Sequence, residues 1–206
     1  RARGVVRRPR VSCGRAETGG GPSPLGLSPP GGPVSVTAII YRLAFCYILA
    51  LYNPLDRLRG RFVVFDGPDG SGKTTQLTRF ADHAQQAGLE VCRLRDPGGT
   101  EVGEQIRRIL LRPEHDEPLD LTCEMLLFMA SRAQLMAQCI HPALAQQQLV
   151  LADRFISSTL AYQGAAGGLT VEQIRSVGAV ALGDCWPRLV VIFDVDEATA
   201  AARLTG

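Results

Sequence analysis

Lysine is almost missing from this chain: of its 22 basic residues, Lys73 is the single lysine and all others are arginine. A GC-rich coding sequence accounts for the arginine excess but leaves that one position to be explained. No C-x-x-C pair occurs among the six scattered cysteines (Cys13, Cys46, Cys92, Cys123, Cys139 and Cys185). A zinc site and a disulfide framework are thereby disfavoured, and reduced thiols in a cytoplasmic protein are expected. Basic charge is also lacking where a nucleic-acid-binding body would need it. Residues 61–206 carry 13 basic against 18 acidic side chains, whereas residues 1–60 carry nine arginines against Glu17 and Asp56. A basic tail on an acidic domain argues against nucleic acid as a partner. No internal repeat is present, and the apolar share of 46% is ample for one buried core in 206 residues.

Residues 1–60 read as an extension. The stretch 1–33 is rich in Arg, Gly, Pro and Ser and lacks periodicity, so disorder is expected. "VSVTAIIYRLAFCYILALY" (34–52) is a nearly continuous apolar run, close to the roughly 20 residues that span a bilayer. Arg42 sits near its middle, where a charge costs about 2.5–3.5 kcal/mol on the insertion scale. A signal peptide fits poorly, because the small-residue cleavage pattern is missing. Three readings stay open: a marginal anchor, a helix packed on the domain, or upstream DNA translated from a misassigned start. The absence of Met at position 1 favours the third, and membrane association is disfavoured.

From residue 61 strand and helix signals alternate. "RFVVFD" (61–66), "EVCRLR" (90–95) and "LVLAD" (149–153) read as strands, and "RLVVIFDV" (188–195) as a buried one. Helices are predicted from Lys73 to about Ala87, over 101–111, from about Leu119 to Gln148 with an interruption before Pro142, and over 170–182. This alternation predicts an α/β fold, a doubly wound parallel sheet flanked by helices. Ligands in such sheets bind beyond the carboxyl ends of the strands.

The unusual residues cluster there. Gly67–Pro68–Asp69–Gly70–Ser71–Gly72–Lys73–Thr74, followed by Thr75, fits G-x-x-x-x-G-K-[ST] between a strand and a helix. Its glycines allow a cradle of backbone N–H groups that, with the helix dipole, faces an anionic phosphate. Lys73 supplies a compact charge to the β- and γ-phosphates, and the Thr74 hydroxyl can ligate Mg²⁺. A planar guanidinium fits such a ring of amides poorly, which explains the solitary lysine.

At the third strand's end, Asp153 offers a carboxylate to Mg²⁺ and Arg154 a fork to a phosphate; read alone, the pair is equally a surface salt bridge. Arg95 and Asp96 close the second strand before "PGGT", a weak signal, since this is also an ordinary turn. Glu124, Phe128 and Arg132 share one helical face. Spacing alone favours Phe128 in a core and Arg132 at a solvated end over base recognition.

In order, "DGPDGSGKT", "RDPGGT", "LLFMASRAQ", "DRF" and "STLAYQG" resemble the motifs of the thymidylate kinases, over residues 61–206. The resemblance implies a P-loop NTPase fold and transfer of the ATP γ-phosphoryl group to dTMP, giving dTDP for dTTP synthesis, with Mg²⁺. It implies that Phe128 stacks on thymine, Arg132 contacts its edge, and Tyr162 lies under the deoxyribose, where a ribose 2′-hydroxyl clashes. It places Thr159 and Gln163 in the same pocket. Arg154, with Arg107 or Arg95, holds the acceptor phosphate, and Asp69 stands between the acceptor and the transferred group. A cytoplasmic homodimer is likewise implied.

Two departures stand out. Asp66 and Asp96 occupy positions where the family usually has glutamate, which shortens their reach. The family's arginine-bearing lid and adenine-contacting segment follow the equivalent of Gly206. The donor side is therefore expected to be incomplete here, with binding retained and turnover weak. Competing readings are another nucleotide or nucleoside kinase of this fold, a nucleotide-binding protein without turnover, and a membrane-tethered protein resting on 34–52. A GTPase is disfavoured because no N-K-x-D stretch is present.

Overall fold

In the computed structural model, residues 54–111 and 117–205 are described. The readings made for 1–33 and 34–52 lie outside the described residues. A 3₁₀ turn at Pro54–Leu58 opens the described chain. Its Leu55 and Leu58 pack on the core, so ordered packing begins upstream of Arg61.

Strand β1 (Phe62–Asp66) is buried along its whole length, which is why its sequence is a continuous apolar run rather than an alternating one. It pairs in parallel with β3 (Leu149–Asp153) on one side and β4 (Leu189–Ile192) on the other. β2 (Val91–Arg95) lies beyond β3, giving the order β2-β3-β1-β4. The register sets Asp153 opposite both Phe65 and Arg95. The carboxyl ends of three strands are therefore level, and whatever follows them shares one rim.

The two sheet faces carry separate cores. On one, Leu77, Ala81 and Ala84 of α1 (Lys73–Gln86) pack on Val63, Phe65, Leu149 and Leu151. These α1 positions fall on one helical face, and the alanines let the helix approach closely. On the other, Met125 and Met129 of α3 (Leu121–Leu135) meet Phe62, Val64, Val150 and Ala152. Phe155 joins this cluster, with Ile174 and Leu182 from α6 (Val171–Leu182). α2 (Glu101–Leu111) packs beside α3.

Several expectations were met and others corrected. The long helix begins at an Asp120 cap, whose side chain accepts from the N–H groups of Thr122 and Cys123. It passes through a π segment, Met136–Ile140, into α4 (His141–Ala145). Pro142 supplies no N–H to the preceding turn, so the hydrogen-bond ladder shifts register there. The helix stops short of Gln148 because Gln147 adopts a left-handed backbone (φ 58°). β4, expected to be buried, is an exposed edge strand, with Leu189 52% and Ile192 61% accessible. Among the described residues it pairs with β1 alone. Two helical segments had no sequence forecast: α5 (Ile156–Thr159), running into a π segment at Leu160–Ala166, and α7 (Glu197–Thr205).

Candidate active site

The Gly67–Thr74 turn joins β1 to α1 at the strand rim. Gly70 has φ 79°, and a Cβ on it would lie 2.4 Å from the Ala200 carbonyl oxygen of α7. Only glycine suits that point. α1 opens without a side-chain cap at Gly72, so its first N–H groups remain available to an anion. The Ser71 hydroxyl is buried with no hydrogen-bond partner, a polar atom oriented within a cradle that a phosphate oxygen can complete. Lys73, 7% exposed, donates from Nζ to Asp69 Oδ1 at 3.0 Å and to the Pro68 carbonyl at 3.4 Å. Thr74 Oγ1 donates to Asp153 Oδ2, bringing two hard oxygen donors together. Arg203 of α7 donates to the Gly70 carbonyl at 3.2 Å, which lays this helix over the loop.

Arg154 follows β3 in a left-handed conformation, φ 68°, uncommon for a side chain of this size. The turn aims it back over the rim. Its Nη2 donates to Asp69 Oδ1 at 2.7 Å and its Nη1 to Ser158 Oγ at 3.0 Å. Its guanidinium carbon lies 5.6 Å from the Tyr162 ring centre. Asp69 thus receives two cations on one oxygen. The hydrogen bond from Arg154, and then that from Lys73, hold its carboxyl below the usual aspartate range.

α3 supplies the far wall. Arg132 is fully buried, with its guanidinium carbon 5.5 Å from the Phe128 ring centre. Its Nε donates to Asp96 Oδ2 at 2.8 Å, Nη1 to Thr159 Oγ1 at 2.8 Å and Nη2 to the Phe155 carbonyl at 3.0 Å. Burial, opposed by the charge of Arg132, raises the carboxyl pKa of Asp96. The other oxygen of Asp96, Oδ1, has no hydrogen-bond partner. Arg132 is therefore not the solvated end that its spacing suggested; its donors are largely engaged by the protein.

These walls enclose a cavity of about 550 Å³. Lys73, Asp69, Thr74, Asp153 and Arg154 line its loop side. Arg95, Asp96, Arg107, Phe128 and Arg132 line the opposite side, and Thr159, Tyr162 and Gln163 close it. Gly67, Pro68, Gly70, Ser71 and Gly72 shape the loop without lining the cavity, and Thr75 lies exposed outside it. Arg95 is held by Glu104 at 2.9 Å, and Arg107 donates to the Pro97 carbonyl at 2.7 Å. Ser158, Leu111 and Pro97 also line the cavity and were missed by sequence reading. A serine in a polar stretch gives no periodic signal, so only the fold brings Ser158 to the rim.

The Thymidylate kinase family model matches residues 65–206. The chain belongs to the thymidylate kinase family. It is 42% identical over 147 residues to a thymidylate kinase of Exiguobacterium sibiricum, covering 71% of this chain and 69% of that one. To the Pseudomonas fluorescens thymidylate kinase it is 43% identical over 146 residues, covering 71% and 69%. Among solved structures it resembles the Ehrlichia chaffeensis thymidylate kinase, with TM-score 0.62 and 35% identity over 71% of this chain and 78% of that one. Among the described residues, no helix is long and apolar enough to cross a membrane.

Proposed function

We infer that this thymidylate kinase family member transfers the γ-phosphoryl group of ATP to dTMP, giving dTDP. The observation that carries the reading is the single cavity in which a phosphate-loop lysine, an arginine at a strand end and two aromatic walls meet. Phosphoryl transfer asks little covalent chemistry of a protein; positioning and charge stabilisation do most of the work. Lys73, rooted in α1, presents its ammonium to the donor phosphates. Arg154 offers its guanidinium to the acceptor phosphate, with Arg107 and Arg95 lining the same cavity from its other side. Phe128 gives thymine a face to stack on, and Arg132 holds Thr159 and Asp96 in place around the base. Tyr162 backs the sugar, and Gln163 adds a polar group to the same wall.

The chemistry of the donor set fits Mg²⁺. Thr74 and Asp153 present adjacent oxygens, and this ion binds through one or two protein oxygens completed by phosphates and water. Mg²⁺, when bound, neutralises charge on the β- and γ-phosphates. Location in the cytoplasm and assembly as a homodimer belong to the same reading, supported by the family resemblance; sedimentation tests the second. The function is tested by ranking dTMP, dUMP, UMP, AMP and GMP as acceptors in the native protein. dTMP should lead, and equal turnover of AMP would assign a different acceptor.

A further inference from the structure

We propose that Ser158, anchored by Asp66, is a positioning residue that fixes the guanidinium of Arg154 for the acceptor phosphate. The proposal rests on the reading of Arg154 as the phosphate-binding arginine. Asp66 ends β1, 4% exposed, and is clamped from three directions. Gly67 N–H donates to its Oδ1 at 2.8 Å, the Ser157 hydroxyl donates to Oδ2, and Ser158 Oγ donates to Oδ1 at 2.8 Å. A serine hydroxyl has one proton to give. With that proton committed to Asp66, the lone pairs of Ser158 are free to accept, and Arg154 Nη1 donates to them at 3.0 Å.

Arg154 Nη1 also reaches Asp66 Oδ1 directly, in a long ion pair at 3.4 Å, at the weak end for a hydrogen bond. Ser158 supplies the shorter link between the two. The result is a chain Asp66–Ser158–Arg154 that joins the ends of β1 and β3 through α5. It matters because a phosphate is gripped best by a guanidinium whose plane is already set. The Tyr162 ring centre lies 5.6 Å from the guanidinium carbon, and Asp69 receives the Nη2 edge. Ser158 holds the Nη1 edge. A purely architectural role for Ser158, pinning α5 to β1, predicts instead that loss of the hydroxyl weakens all ligands of the pocket together.

Calorimetric titration of the whole chain with dTMP and with thymidine separates these roles, since the two ligands differ only by the phosphate. In Ser158→Ala the dTMP affinity should fall roughly tenfold while that of thymidine stays within about twofold of the parent. Ser158→Thr, which keeps the hydroxyl, should restore the preference for dTMP. If the alanine variant is unstable, Ser158→Cys, similar in size and a weak donor, serves the same comparison. Arg154→Ala should also lose the preference, and adding Ser158→Ala to it should change nothing more. Equal loss of both ligands in Ser158→Ala, or an unchanged preference, overturns the positioning role. An Arg154→Ala variant that keeps its preference for dTMP overturns instead the reading of Arg154 beneath it.

Discussion

Arg132 and Asp96 form an ion pair at 2.8 Å with each side chain 1% exposed. Neither charge has water to fall back on. Removing one partner of such a pair strands the other, typically at a cost of about 3–5 kcal/mol. Arg132→Ala should therefore lower unfolding stability by about that amount, and Arg132→Met by less, because it refills the volume. Chemical denaturation of the three proteins checks this. A loss below about 1 kcal/mol in the alanine variant would show that the pair is not the anchor of this wall.

Phe128 is only half-buried and faces the cavity beside that anchor. Phe128→Ala should weaken dTMP binding by about 1–3 kcal/mol, the range for base stacking on an aromatic ring. ATP binding should be nearly unchanged. Parallel titrations with the two nucleotides decide the point, and equal loss for both would remove Phe128 from the acceptor pocket.

Lys73 is buried, and its ammonium reaches Asp69 and the Pro68 carbonyl at once. Lys73→Ala should reduce kcat of the native protein by at least about 10²–10³, as for other transition-state donors. Lys73→Arg should also be poor, because the loop admits a narrow charge and not a broad fork. Rates near the parent's in the arginine variant would discredit this account of the solitary lysine.

Two loop glycines should respond differently to alanine. Gly72 has φ 86°, with its nearest neighbour, Arg203 Nη1, at 3.9 Å from a built Cβ, so Gly72→Ala should cost only the left-handed backbone term of about 1–2 kcal/mol. Gly70→Ala meets the Ala200 carbonyl at 2.4 Å and should lose about 1–3 kcal/mol more through overpacking. Thermal unfolding of the two variants gives the order. Equal losses would mean that α7 does not rest on the loop.

Asp69 provides a pH signature. Its folded-state carboxyl is held below the usual range by Arg154 first and Lys73 second. A lowered carboxyl stabilises the fold above its unfolded value and loses that contribution as pH falls through the folded one. The parent's advantage over Asp69→Asn should be steady near neutrality and shrink towards about pH 3. It should stay below about 1 kcal/mol, because the Asp69 side chain is 70% exposed. Urea midpoints at the two pH values measure it, and an advantage that grows in acid contradicts the assignment.

The sheet and its phosphate loop were legible because their signals are local: a continuous apolar strand, a glycine turn with a lysine, and an amphipathic helix. The site's remaining geometry depends on register. Nothing near Arg132 in the sequence announces that Asp96, thirty-six positions away, will neutralise it, so spacing alone suggested a solvated end. Ser158 and Arg203 matter through contacts with β1 and its loop that only the assembled sheet creates. The α5 and α7 segments escaped notice for a related reason. The first is four residues long before it widens into a π segment, and the second is alanine-rich, so neither shows a clear apolar stripe. β4 differed in the opposite sense: its apolar run reports the capacity to be buried, and among the described residues it pairs with β1 alone.

One oxygen, Asp69 Oδ1, accepts from Lys73 at 3.0 Å and from Arg154 at 2.7 Å. A phosphate arriving on either cation competes with that carboxylate and alters the charge felt at the other. If Lys73 takes the donor phosphates and Arg154 the acceptor phosphate, as proposed, the two halves of the site are thermodynamically linked, and such linkage is reciprocal: the factor by which ATP changes the affinity for dTMP equals the factor by which dTMP changes the affinity for ATP. Coupling between the two substrates would then run through a single exposed side chain, Asp69.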